Sequence, residues 1–479
     1  MSDNIFHTKQ FKDNLQNYED ALSAGHPLYL EPDDYTDIAE YYQLHGRFND
    51  ALEAVDTALS MFPGATQPLA FRARVAILID HDAEEAMHYA NMIADKEDLD
   101  YYYTVAEIMI ADGRADDAEK YLQDKKGEID EDDREDFCLD VATLYVDYDV
   151  YDLAELWLDE CEDTDNDDYQ EIKGRIAVNK GKYKEGIRIF NTLLDHDPYN
   201  NAYWNALATA QYLNNDISDS IESCDYALAI DSEDTDAILS KANALTILGN
   251  ANEAVSYYNH YNRLQPMSEV GYMGIAAVMM AENKLNEALT YWQRAEKLTA
   301  PFSPNRMDIY RNMCLIYATM GNHEKAFEIA DKLEQFTGKK SPDMAVLRGY
   351  LALLAAKLPE ATAYFAYADK MTSKDERNNI RFYIAFCYFD TGYMQQAHDI
   401  LRQLADADNN KIYNDFWSYL VRTDYELGLQ DEFLSDLKKA TERNPYGLQR
   451  EMSDVFPNGM AVRDFYNYAI HHPIHKKKE

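Results

Sequence analysis

Apolar side chains recur along the chain at spacings of three and four residues, in pairs of short segments joined by polar turns. Residues 201–234 show the pattern, with a first apolar stripe formed by Trp204, Leu207 and Ala208 and a polar turn at residues 214–216. A second stripe follows the turn and contains Ile217, Ile221, Cys224, Ala227 and Leu228. This spacing predicts two amphipathic helices that pack against each other.

The same pattern repeats along nearly the whole chain. Eleven intervals with a mean of about 34.7 residues separate twelve units. The units begin at residues 32, 67, 99, 135, 167, 201, 235, 269, 307, 342, 378 and 414. A period of this length predicts a helical solenoid, in which each helix pair buries its apolar face against its neighbours.

Three positions in the unit have physical requirements that the residues meet. The twentieth position is Ala, Gly or Ser in eleven units, with Phe433 as the exception, and the eighth is mostly Ala or Gly, with Arg74 and Val421 as clear exceptions. Small residues there allow two helices to approach closely. The fifteenth position, in the turn, is Gly, Asn or Asp in every unit except those with His81 and Ala356. Such residues favour the left-handed backbone that ends a helix.

These residues resemble the tetratricopeptide repeat family. The family pattern is met in the first unit by Tyr35, Ile38, Ala39, Tyr42, Ala51 and Pro63, and in the seventh by Gly249, Ala254, Tyr258 and Pro266. The resemblance implies an all-α, right-handed α-solenoid of stacked antiparallel helix pairs, with first helices on the concave face. We expect a capping helix in residues 1–31, the repeat array in residues 32–447, and a closing helix with a basic tail in residues 448–479.

Charge and cysteine usage restrict the class of protein further. The 479 residues include 87 Asp and Glu against 45 Lys and Arg, a formal charge of −42, which argues against bulk electrostatic binding to nucleic acid or an anionic membrane. The five Cys form no CxxC pair, and no apolar run suits a signal peptide or a membrane helix. We therefore expect a cytoplasmic protein without disulfides or a zinc module.

The acidic residues are concentrated in the first repeats, residues 32–172. Within them, residues 128–172 hold 20 Asp or Glu and a single base, Arg134. The block is either a solvated face or a docking surface for a basic protein. The docking residues would be Glu131, Asp132, Asp133, Asp163, Asp165, Asp167 and Asp168. A calcium loop starting at Asp163 is rejected, because Asp168 and Gly174 replace the required Gly and Glu.

The last three units suggest a second candidate surface. The resemblance places the second, fifth, ninth and twelfth residues of each first helix on the concave groove. A partner-binding groove would there contain Val346, Tyr350, Leu353, Phe382, Phe386, Phe389, Arg422 and Tyr425. An apolar groove suits a hydrophobic or helical peptide. The alternative is that these side chains pack within the array or under the closing helix. The Lys and Asn pattern of chaperone-binding members is absent.

No motif for catalysis is found. Nucleophile elbows, phosphate-binding Gly loops and HExxH pairs are missing, and His88, His260 and His398 have no Cys or His at ligand spacing. We therefore predict a protein-binding scaffold that is not an enzyme and holds no cofactor or metal. Two alternatives remain: an acidic surface for basic proteins or mimicry of nucleic acid, and an all-helical enzyme with paired carboxylates. The sequence identifies neither partner, pathway nor oligomeric state.

Overall fold

Helices joined by short turns make up the part of the chain that the structure describes. The computed structural model describes residues 5–6, 8–26, 28–131, 133–301, 303–338, 341–406 and 416–473. Twenty-seven helices and no strand occur in these ranges. The chain divides into an N-terminal unit, Met1–Val278, and a C-terminal unit, Met279–Glu479.

The N-terminal unit contains one leading helix followed by seven helix pairs. These helices are α1 (Lys9–Ala24), α2 (Pro32–Leu44), α3 (Phe48–Met61), α4 (Thr66–Leu78), α5 (Ala83–Met92), α6 (Leu99–Ala111), α7 (Ala115–Lys126), α8 (Arg134–Asp147), α9 (Tyr151–Leu158), α10 (Asp167–Asn179), α11 (Tyr183–His196), α12 (Asn201–Leu213), α13 (Ile217–Ile230), α14 (Thr235–Ile247) and α15 (Ala251–Leu264). The unit boundary falls within the next helix, α16 (Val270–Ala281).

The C-terminal unit continues the alternation and ends in two additional helices. Its helices are α17 (Leu285–Leu298), α18 (Asn305–Thr319), α19 (His323–Thr337), α20 (Pro342–Leu354), α21 (Leu358–Met371), α22 (Arg377–Asp390), α23 (Met394–Asp406), α24 (Phe416–Leu427), α25 (Gln430–Arg443), α26 (Pro445–Glu451) and α27 (Val462–His471).

The predicted all-α solenoid of paired helices is confirmed. Within each unit, the two helices of a repeat pack against each other, and the second helix packs against the first helix of the next repeat. Eleven of the predicted repeat starts lie within two residues of an observed helix start. The twelfth, residue 414, lies outside the described residues, and its pair is α24 and α25.

The turn inside each repeat has a left-handed backbone in all twelve repeats, including the two with unexpected residues. His81 has φ 54° and Ala356 has φ 55°, close to the values at the Gly, Asn and Asp turns. The amide of Lys357 donates to the carbonyl of Ala352 at 2.8 Å, closing the last turn of α20. This hydrogen bond terminates the helix in the manner of a Schellman motif. Helix pairing therefore imposes the conformation whether or not the residue favours it.

Additional helices cover the apolar ends of the array. At the front, α1 buries Phe11 and Tyr18. At the back, α27 buries Phe465, whose ring stacks on Phe456 at 3.8 Å between centroids. Helix α27 lies in residues 448–479, where a closing helix is expected, and α26, which was not foreseen, spans residue 447, the expected end of the array. In the described ranges, no helix combines the length and apolarity needed to cross a membrane.

Candidate partner-binding surfaces

The aromatic residues predicted to line a groove in the C-terminal unit pack largely against one another. Leu353 and Phe382 are 3% and 7% exposed, so both side chains are buried. Tyr419 of α24 lies among three rings of α22, with centroids 6.1 Å from Phe382, 5.6 Å from Phe386 and 5.0 Å from Phe389. These contacts hold neighbouring first helices together.

Only part of this aromatic set faces solvent. Phe386 is 39% exposed, and Val346, Tyr350 and Phe389 are half-buried. The Tyr350 hydroxyl donates to a carboxylate oxygen of Asp390, on the first helix of the following repeat. The exposed aromatic surface is therefore centred on Phe386.

Arg422 holds neighbouring segments together instead of facing an open groove. Its guanidinium donates to Glu426 at 2.8 Å, to the Glu451 carbonyl at 3.1 Å and to both carboxylate oxygens of Asp454. These hydrogen bonds tie the segment after α26 to α24. The neighbouring predicted residue, Tyr425, packs its ring on Phe433 at 5.8 Å between centroids.

The acidic residues predicted as a docking surface lie in two inter-repeat turns. Glu131 and Asp133 precede α8, Asp163 and Asp165 precede α10, and all four are exposed. Asp168, in the first turn of α10, is exposed as well. None of these five residues forms an ion pair with another described residue. Asp167 differs, because its carboxylate lies 2.9 Å from Nδ1 of His196, and Asp132 lies outside the described residues.

A second set of carboxylates, which the sequence analysis did not single out, lies on the first helices of repeats one, three, four and five. We call Asp37, Glu40, Asp100, Asp140 and Glu171 the acidic face. These side chains lie on α2, α6, α8 and α10. Glu40, Asp100 and Glu171 occupy the ninth, second and fifth positions of their first helices. Applying the concave-position rule to these early repeats would have found these three residues, whereas Asp37 and Asp140 are at the sixth position, which the rule does not include.

Hydrogen bonds and ion pairs connect the first helices along this face. Gln67 of α4 donates to Asp100 at 2.6 Å, and the Tyr103 hydroxyl of α6 donates to Asp140 at 2.8 Å. The contacts of Arg74 account for a large residue at the eighth position, where most repeats have a small one. Its guanidinium reaches Glu107 on α6 at 3.0 Å and lies 3.8 Å from Glu40 on α2.

The surroundings of the acidic face disfavour the ionised form of its carboxyl groups. Loss of surrounding water raises the pKa of all five carboxyl groups above their ordinary values. Repulsion from neighbouring carboxylates raises the pKa of Asp37, Asp100 and Asp140 further. Opposing effects come from the cations Arg74 beside Glu40 and Arg175 beside Glu171. A cation placed along this face would relieve the remaining repulsion.

One additional contact joins distant repeats within the N-terminal unit. The Gln265 side-chain amide, after α15, donates to the Leu44 carbonyl at the end of α2. Beside this contact is a cavity of about 320 Å³. Its lining includes Tyr41 and His45 from the first repeat and Asp234 and Asp236 at the start of α14. The first and seventh repeats therefore contact each other directly.

Comparison with known families matches residues 173–235 to a tetratricopeptide repeat model. The matched segment covers the second half of α10 and all of α11, α12 and α13, two of the twelve helix pairs described above. Residues 173–235 are therefore similar to tetratricopeptide repeats. A search of curated proteins finds no match.

The solved structures that resemble this chain share little sequence with it. A tetratricopeptide repeat protein from Parabacteroides merdae is 17% identical, with a TM-score of 0.41 over 53% of this chain and 98% of its own. The Cut9–Hcn1 hetero-tetramer of the APC/C is 15% identical, with a TM-score of 0.37 over 98% of this chain and 95% of its own. The type IV pilus biogenesis factor PilW is 15% identical, with a TM-score of 0.39 over 45% of this chain and 97% of its own. With TM-scores below 0.5, none of these likenesses bears on function.

Proposed function

We propose that the chain is a noncatalytic scaffold that binds a protein or peptide partner on the face formed by the first helices of its repeats. Tetratricopeptide repeats generally serve protein interaction, and the resemblance to this family implies that first helices line the concave side. In the N-terminal unit, the preferred partner is a basic segment. The observation that carries this proposal is the acidic face, with carboxylates on four first helices and pKa values raised by desolvation.

The chemistry of the acidic face favours Lys and Arg side chains. Each carboxylate offers acceptor oxygens for charge-assisted hydrogen bonds, and an Arg fork can engage two of them at once. A bound cation also removes repulsion that the free protein bears at neutral pH, so part of the binding free energy comes from relief within the scaffold. Opposite charges further accelerate encounter, an effect that added salt screens.

A fluorescent Lys-rich helical peptide tests this proposal against a peptide of the same length in which Glu replaces Lys. We expect anisotropy to report saturable binding of the basic peptide only, with weaker affinity at higher salt. Neutralising the face with Asp37→Asn, Glu40→Gln and Glu171→Gln should weaken binding at least tenfold. The matched control carries Glu53→Gln, Glu84→Gln and Glu185→Gln, the same charge change on second helices.

The control distinguishes specific binding from attraction by net charge. Equal loss in both triple variants would contradict the proposal, because binding would then follow overall charge. A third variant, Asp163→Asn with Asp165→Asn and Asp168→Asn, tests the acidic turns. Loss confined to that variant would assign the basic partner to the turns and not to the acidic face.

The surface around Phe386 is a second candidate, for an apolar partner. Its support is the 39% exposure of Phe386 beside the exposed ring of Tyr383. An amphipathic peptide that binds there would be insensitive to salt and would lose affinity on Phe386→Ala. Binding that survives this substitution would exclude the surface.

A further inference from the structure

A cluster of ionisable side chains is buried between α23, α24 and α25 of the C-terminal unit. His398 is 8% exposed, Asp424 is fully buried, and Asp436 is 1% exposed. Arg402 joins the two carboxylates, with its nitrogens 3.1 Å from Asp424 and 2.6 Å from Asp436. Lys439 lies 3.4 Å from Asp436. Because buried charges lose their contact with water, they require oppositely charged partners nearby.

The pairing within this cluster is incomplete. The second carboxylate oxygen of Asp424, Oδ2, and both ring nitrogens of His398 are buried and make no hydrogen bond to any described residue. Nε2 of His398 does lie 3.0 Å from Oδ1 of Asp424, without the angles of a hydrogen bond. Oδ2 of Asp424 is thus buried beside the imidazole without a hydrogen bond to any described residue.

A third potential ligand comes from the next helix. Glu432, in the first turn of α25, is exposed, and its carboxylate completes a set with His398 and Asp424. One ligand atom from each of these three side chains lies within 4.8 Å of the other two. We propose that His398, Asp424 and Glu432 bind a divalent transition-metal ion of the Zn²⁺ class.

The donor atoms suit such an ion. One imidazole nitrogen with two carboxylate oxygens is a ligand set found for zinc, whereas Mg²⁺ and Ca²⁺ prefer oxygen ligands alone. Tetrahedral zinc, with bonds of about 2.0–2.2 Å, places its ligand atoms roughly 3.4 Å apart. The Glu432 side chain is exposed to solvent and can rotate to bring its carboxylate closer to the other two ligands. Arg402 donates to Oδ1 of Asp424, which leaves Oδ2, without a hydrogen bond to a described residue, available to an ion.

Zinc binding should be measured on the full chain with His471→Ala, His472→Ala and His475→Ala, which removes the imidazoles of the C-terminal tail. After treatment with EDTA, calorimetric titration with ZnCl₂ should show one saturable site per chain, and MgCl₂ should not compete. We expect Glu432→Gln and His398→Ala each to weaken Zn²⁺ affinity at least tenfold. The matched control is Asp431→Asn, which removes the neighbouring charge on the same helix.

Two results would overturn the proposal. One is the absence of saturable Zn²⁺ binding in the tail-substituted chain. The other is the same affinity in Glu432→Gln as in Asp431→Asn, which would mean that only general negative charge attracts the ion. Because Glu432 is exposed, its substitution leaves the fold intact and keeps the test decisive even if His398→Ala unfolds. The site is independent of the partner-binding proposal.

Discussion

Ala356 and Gly392 occupy the same position of neighbouring repeats and have the same left-handed backbone, φ 55° and 82°. An L residue pays about 1–2 kcal/mol in this conformation, and Gly does not. The close hydrogen bond after Ala356 shows that helix pairing outweighs that cost. The residue type at this position therefore adjusts stability without deciding the fold.

Ala356→Gly should stabilise the C-terminal unit by about 0.5–1 kcal/mol, since relief of backbone strain exceeds the added entropy of the unfolded chain. The reciprocal change, Gly392→Ala, should destabilise it by about 1 kcal/mol. A Cβ at Gly392 would meet no atom within 4 Å, so the effect is conformational and not steric. Urea unfolding midpoints provide the measurement, and shifts of equal sign would contradict the explanation.

Gly349 illustrates a different demand on a small residue, that of close helix approach. A Cβ there would overlap Cε1 of Phe365, a buried ring on the second helix of the same repeat. Gly349→Ala should therefore destabilise the protein by about 1–3 kcal/mol through overpacking. Thermal unfolding tests this, and Phe365→Leu in the same chain should recover part of the loss. No recovery would show that the ring is not the obstacle.

The helices at the end of the C-terminal unit behave as a cover for its last repeat. Phe433, which breaks the small-residue rule, is buried in one cluster with Leu448, Met452 and Phe465. A terminal repeat has no following pair to bury its apolar side, so other elements must do so. Helices α26 and α27 supply that burial, and Arg422 fixes the segment between them.

Removing the central ring of this cover should expose the last repeat. Phe465→Ala should destabilise the C-terminal unit by about 3–5 kcal/mol, because Phe465 is fully buried. Ile470→Ala on the same helix is the control, since Ile470 is 44% exposed and should cost little. Thermal unfolding and binding of a hydrophobic dye report the effect. Similar losses in the two variants would argue against a covering role for α27.

The sequence predicts the elements better than the surfaces between them. Apolar periodicity identifies each helix pair, because a repeat's own residues decide its spacing. Burial of Leu353 and Phe382 depends on neighbouring helices such as α24, whose Tyr419 is far along the chain. His398 and Glu432 are likewise one repeat, 34 residues, apart. Sequence motifs for metal ligands join residues a few positions apart, so the sequence alone does not predict this pair.

At the scale of the whole molecule, the acidic face makes stability depend on pH. Between the ordinary pKa values of Asp and Glu, 3.8 and 4.5, and the raised values on this face, the folded chain holds more protons than the unfolded chain. The contribution of these groups to stability therefore decreases as pH rises through that window. At neutral pH their ionised forms oppose folding.

The variant with Asp37→Asn, Glu40→Gln and Glu171→Gln should consequently melt a few degrees above the unsubstituted chain at pH 7. At pH 4 the difference should shrink, because a larger fraction of these carboxyl groups, whose pKa values are raised, is protonated there than at pH 7. Calorimetric melting at both pH values is the measurement. A difference that is independent of pH would mean that removing the charges was not the cause.

The hydrogen bond from Gln265 to Leu44 makes the number of repeats itself a constrained quantity. An open array can gain or lose a helix pair and simply become longer or shorter. Here the second through sixth repeats lie between two repeats that contact each other. Deleting or duplicating one of them would move Gln265 away from Leu44 and break this contact. Gain or loss of a whole repeat is therefore disfavoured between these two residues, and it is tolerated more easily elsewhere in the array.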